Sequence, residues 1–182
     1  MTTYPIHTLE SAPERSKPVL QELLKTFGLI PNLAGAMAGS PVLIDAFLGV
    51  FRKVHAGSFS EAQIQALLLT NAATNACAWA VAFHSMLALK EGLDPADVQA
   101  IRERGTPRDA KLAALSTLAR AMIERRGHLE EGALERFVAA GFTPAHALEV
   151  VTVVAASTIT NYVGNLTDPP LEPMLREYAW KA

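Results

Sequence analysis

From Ala62 to Leu89 the chain carries no charged side chain, and from Val150 to Thr167 it carries none again. A run of that length is accommodated either as a helix across a bilayer or as a helix enclosed by other helices. The first run holds Gln63, Gln65, Thr70, Asn71, Thr74, Asn75 and His84; the second holds Thr152, Ser157, Thr158, Thr160 and Asn161. Polar groups of that density are costly in hydrocarbon. Both runs are therefore expected to be helices at the centre of a soluble all-α bundle, partly at a subunit interface. With 50% apolar residues in a chain of 182, there is enough material for one such core.

The punctuation agrees with an all-helical chain. Pro18 opens a helix that closes at Gly28, with Val19, Leu20, Leu23, Leu24 and Phe27 on one face. Ile30-Pro31-Asn32 leads into a short helix that stops before Gly39, and Ser40-Pro41 caps another that runs to about Ala56. Ser60 and Gln63 form a capping-box pattern, with Phe59 placed as its hydrophobic staple. A break is expected at Asn75-Ala76, then a helix carrying Cys77 to Lys90. Further helices are expected from Asp94-Pro95 to near Gly105, from Thr106-Pro107 to Gly127, and from Glu130 to Ala140. Thr143-Pro144 opens the second uncharged helix; its Val150-Val154 run suits a strand, but the cap before it favours helix. Leu171 to Trp180 reads as a terminal amphipathic piece. Phe59-Ser60-x-Ala62 and Phe142-Thr143-x-Ala145 open the two uncharged helices alike, a faint internal echo.

Several function classes are excluded. The net charge is −2 and no basic block occurs, which argues against a nucleic-acid partner. The single cysteine, Cys77, leaves no intrachain disulfide and no Cys-rich zinc site. His7, His55, His84, His128 and His146 show no pair at ligand spacing, so no metal and no cofactor are expected. The first residues, Met1 to Pro5, lack the pattern of a signal peptide, and a cytoplasmic location is expected.

The chemistry-bearing segment is Cys77-Ala78-Trp79-Ala80-Val81-Ala82-Phe83-His84. It resembles the Cys-x-x-Cys-x-x-x-His motif of the alkylhydroperoxidase-D-like / carboxymuconolactone decarboxylase family, with Ala80 in place of the second Cys. The resemblance covers Phe59 to Leu93. It extends more loosely to Ile30-Pro31-Asn32-Leu33, Asn161-Tyr162-Val163-Gly164-Asn165 and Thr167-Asp168-Pro169-Pro170-Leu171. It implies a compact helical bundle, a core over residues 59–182 with residues 1–58 as an N-terminal helical extension, and a homo-oligomer.

In that family the Cys nearer the His attacks a hydroperoxide and the first Cys resolves it as a disulfide. A Glu twelve residues before the first Cys takes part in proton transfer. By position these roles fall on Ala80, Cys77, His84 and Gln65, so the attacking thiol and the carboxylate are both replaced. Positions 77 and 84 lie about 10 Å apart along a helix, with 80 between them; Ala80 interrupts the relay at its middle member.

Cys77 and His84 are the candidate catalytic residues, and Gln65, Trp79, Ala80 and Glu61 the candidate pocket residues. Cys77 follows a helix break, where backbone N–H groups would favour thiolate; the alternative is a buried, inert thiol. The implied activity is thiol-dependent peroxidase chemistry on a small hydroperoxide with a thiol reductant, altered, lost or reduced to one Cys. The alternatives are a cofactor-free lyase or isomerase acting on a small organic acid through His84, and a helical oligomer that binds a ligand without turnover.

Overall fold

The computed structural model describes residues 4–181; the Met1-Thr2-Thr3 part of the signal-peptide reading lies outside them. Nine α-helices occur among the described residues, in the order α1 Lys17–Phe27, α2 Asn32–Met37, α3 Pro41–His55, α4 Glu61–Thr74, α5 Ala78–Lys90, α6 Pro95–Arg102, α7 Ala110–Glu124, α8 Ala133–Ala139 and α9 Pro144–Thr167.

Local chemistry sets most of the boundaries. Ser60 Oγ accepts the N–H of Gln63 while Gln63 Oε1 accepts the N–H of Ser60, so the expected capping box opens α4. Thr143 and His146 form the corresponding box at α9. The residues preceding the two caps, Phe59 and Phe142, meet edge to face with centroids 6.2 Å apart. The sequence echo thus corresponds to two helix starts packed against each other.

Three boundaries differ from expectation. The helix expected from Thr106-Pro107 begins at Ala110, because Asp109 caps it by accepting the N–H of Leu112. The helix expected from Glu130 begins at Ala133, after Gly132. Cys77 is the N-cap of α5 in extended backbone and not a helical residue. The Val150–Val154 run is helical, and the C-terminal piece is a 3-10 helix over Pro173–Tyr178.

The break between α4 and α5 is a two-bond closure. Cys77 N–H donates to Ala72 O and Ala76 N–H to Ala73 O, with Ala76 in the left-handed region at φ 52°. A non-glycine residue there costs about 1–2 kcal/mol. Asn165 Nδ2 on α9 donates to Asn75 O and ties the turn down.

The core divides in two around α4. Leu20, Leu33, Met37, Ile44, Leu69, Val81 and Ile101 belong to one cluster; Ile64, Leu67, Leu115, Phe137 and Val150 belong to the other. Helix α4 supplies both, which accounts for its lack of charge. Several of its buried polar groups are paired: Thr70 Oγ1 with Ala66 O and Ser116 Oγ, and Asn71 Nδ2 with Ser157 Oγ.

The second uncharged run differs from its expected central position. On α9, Val150, Val153, Ser157, Asn161 and Gly164 are buried, but Leu148, Val151, Tyr162 and Leu166 are 73%, 51%, 62% and 65% exposed. Only one face is covered, chiefly by α3, α4 and α7, with α2, α5 and α8 adding smaller contacts. Among the described residues α9 is the one helix long and apolar enough to cross a membrane, with a mean hydropathy of 1.3 over its most apolar window.

The chain end straps α2 to α5. Glu172 accepts the N–H of Asn32 at 2.6 Å and the indole N–H of Trp79 at 3.0 Å. Arg102 donates to the carbonyls of Tyr178 and Ala179 at 3.0 Å.

Candidate functional site

Faces of α1 to α5 and of α9 border two neighbouring spaces that share Leu23, Phe27, Phe51, Leu68, Phe83 and His84. The inner one is an apolar chamber of about 60 Å³, walled by Leu23, Phe27, Phe51, Leu68, Trp79, Ala80 and Phe83 among others. The outer one is a vestibule of about 490 Å³ that adds Glu22, Arg52, His55, Glu61, Gln65 and Lys90. Helical spacing explains the division. Phe47, Phe51 and His55 recur every four residues on α3, and Glu61, Gln65 and Leu68 share a face of α4.

His84 lines both spaces, at the collar between them. Its Nδ1 lies 3.0 Å from Gln65 Oε1. An amide oxygen only accepts, so Nδ1 carries the proton and Nε2 keeps its lone pair. Burial first, and the neighbouring His55 second, push the imidazole pKa down from 6.5 to about 3. His84 is therefore a neutral hydrogen-bonding group at neutral pH and a weak base.

A depressed pKa of this kind also bears on stability. Between about pH 6.5 and about pH 3 the unfolded chain holds a proton on this residue that the native protein does not, so stability falls as pH falls. The slope approaches about 1.4 kcal/mol per pH unit while the native ring stays neutral. Urea unfolding of the native protein and of His84→Gln across this range is expected to show a flatter pH dependence in the variant.

Cys77 is elsewhere. Its side chain is fully buried, and it lines neither space. Sγ packs against Gly164 of α9, where an added Cβ would lie 2.6 Å from it. Burial raises the thiol pKa; the backbone N–H groups of Ala80 and Trp79 pull it back in part without reversing it. The helix-start N–H groups anticipated from the sequence are present, but desolvation outweighs them.

The structure thus gathers Trp79, Ala80 and His84 on the chamber wall and Glu61, Gln65 and His84 around the vestibule, and leaves Cys77 outside. It adds a residue the sequence reading passed over: His55 Nδ1 sits 3.0 Å from each carboxylate oxygen of Glu61. The signal was the four-residue spacing Phe47, Phe51, His55, which places His55 on an aromatic face directed at the site. The indole of Trp79 stacks on Phe83 at 4.9 Å and is held there by Glu172. No cluster of three or more His, Cys, Asp or Glu side chains suited to a metal occurs among the described residues.

This architecture is that of known crystal structures. An alkylhydroperoxidase AhpD core, an uncharacterized peroxidase-related protein from Ralstonia eutropha JMP134, matches with a TM-score of 0.82 at 17% identity, over 94% of this chain and 93% of that one. The chain has the AhpD-core fold. A second uncharacterized peroxidase-related protein with this fold, from Silicibacter sp. TM1040, gives a TM-score of 0.79 at 18% identity, over 96% and 92% of the two chains. The debrominase Bmp8, as a Cys→Ala variant in complex with 2,3,4-tribromopyrrole, gives 0.78 at 19% identity, over 98% and 96%. No family model and no curated protein matches the sequence.

Proposed function

We propose that this AhpD-fold protein binds a small, mainly apolar ring compound, with the apolar end in the chamber and an N–H or O–H donor on His84 Nε2. The observation that carries this reading is that Trp79, Ala80 and His84 line one apolar space while the only thiol does not. A one-thiol peroxidase would need the Cys77 sulfur in that space, so the geometry supports ligand binding ahead of thiol chemistry. The chamber, about 60 Å³, is smaller than the roughly 150 Å³ cavity that holds benzene. A ring compound therefore seats one edge there and leaves its polar end at the collar. The Bmp8 complex supports the choice of ligand class, since that Cys→Ala protein holds a bromopyrrole.

The test is a titration with 2,3,4-tribromopyrrole, followed by quenching of Trp79 fluorescence. Saturable quenching is expected in the native protein and none in Ala80→Leu, whose side chain fills the chamber. Equal quenching in both, or none in the native protein, would contradict the reading.

A further inference from the structure

Two walls of the apolar chamber are tied together by a carboxylate from the chain end. Pro31, Leu33 and Met37, in α2 and just before it, line the chamber, as do Trp79, Ala80 and Phe83 of α5. Among the described residues, the one side chain that hydrogen-bonds to both elements is Glu172. One of its oxygens accepts the N–H of Asn32 at 2.6 Å, the other the indole N–H of Trp79 at 3.0 Å. Bonds from N–H groups to a carboxylate are among the stronger ones a protein makes. Neither donor has a substitute acceptor: Pro31, the N-cap of α2, offers no side-chain cap, and an indole has a single N–H.

Glu172 is itself held in place. The carbonyl of Pro170 accepts Asn32 Nδ2 at 2.9 Å. Leu175 is buried in the core, and Arg102 holds the carbonyls of Tyr178 and Ala179. From Trp79 the restraint passes along the aromatic wall. Its indole stacks on Phe83, and Phe83 meets Phe27 edge to face at 5.5 Å. A groove of about 280 Å³, bordered by Phe27, Phe83, Met86, Glu172 and Leu175, adjoins the chamber. The wall therefore has room to move outward once the tie is cut.

We propose that Glu172 is the specificity-determining residue of this site: by holding Trp79 to the start of α2 it keeps the chamber too narrow for a fused two-ring compound. The ligand class is then a single aromatic ring with one N–H or O–H donor. This rests on the ligand-binding reading above. Glu172 does not line the chamber; it is a positioning residue that acts through Trp79 and Asn32.

The test is calorimetric titration of the full chain with 4-bromophenol and 6-bromo-2-naphthol. The two share an O–H and a bromine and differ by one fused ring. The native protein is expected to bind the phenol more tightly than the naphthol. Glu172→Ala is expected to shift the ratio of the two Kd values by about tenfold toward the naphthol. Glu172→Gln, whose amide offers one acceptor oxygen to the two donors, is expected to fall between them, and it reads the effect should the alanine variant fail to fold. A merely structural role for Glu172 weakens both ligands by the same factor, and an unchanged ratio in these variants overturns the proposal. So does a native protein that prefers the naphthol. If the native protein binds neither compound, nor 2,3,4-tribromopyrrole, the ligand-binding reading fails and takes this one with it. Native binding with an unchanged ratio defeats the assignment of Glu172 alone.

Discussion

Replacing Gly164 by alanine is expected to destabilise the protein by about 1–3 kcal/mol, although the same change in an unobstructed helix is favourable by roughly 1 kcal/mol. The cause is one contact: the new Cβ would stand 2.6 Å from Cys77 Sγ and 3.7 Å from Leu33 Cδ1. The sulfur has no room to withdraw, because Cys77 is fully buried and its backbone is fixed as the N-cap of α5. In a Cys77→Ala background the sulfur is gone, and Gly164→Ala is expected to become neutral or stabilising. Urea unfolding midpoints of the four proteins read the reversal directly. An equal loss in both backgrounds would mean that Cys77 does not pack against α9 as described. The result matters for function because a sulfur held between two helices is a packing element, not an exposed nucleophile.

Restoring the replaced groups is expected to have the largest effect on activity. Ala80 lines the chamber one turn before His84, so Ala80→Cys places a thiol inside it. That variant alone is expected to reduce cumene hydroperoxide slowly with dithiothreitol, because His84 is neutral and backed only by the Gln65 amide. Adding Gln65→Glu gives His84 a carboxylate partner that favours the imidazolium. The double variant is expected to be faster by about 100-fold or more and, with dithiothreitol left out, to hold a sulfenic acid at position 80, seen as the gain of one oxygen in intact mass. A double variant no faster than Ala80→Cys would mean that the Gln65–His84 contact is not the point at which the relay is broken.

The fold was legible because its signals are local. Capping boxes, Pro and Gly punctuation and two uncharged runs fix helices within a few residues, and the shifted starts at Asp109 and Gly132 are cases where a nearer cap or turn prevailed. The burial of α9 was not legible, because an uncharged run states only that a helix tolerates burial; which face is covered depends on α3, α4 and α7. Within the site, Trp79, Ala80 and His84 follow from the motif and its helical spacing. The position of Cys77 does not, because whether an N-cap thiol faces a cavity or a neighbouring helix depends on the absence of a side chain at Gly164, far along the chain. The His55–Glu61 pair spans a loop and is fixed by the angle between α3 and α4, which no spacing rule supplies.

The reading of a thiol-free binding site centred on His84 is tested most directly by calorimetric titration of 2,3,4-tribromopyrrole into the native protein, Cys77→Ser and His84→Ala. The same Kd in the native protein and Cys77→Ser, with a Kd about tenfold weaker in His84→Ala for the loss of one hydrogen bond, is the expected result. Binding lost in Cys77→Ser and retained in His84→Ala would contradict it and return the chemistry of this fold to its single thiol.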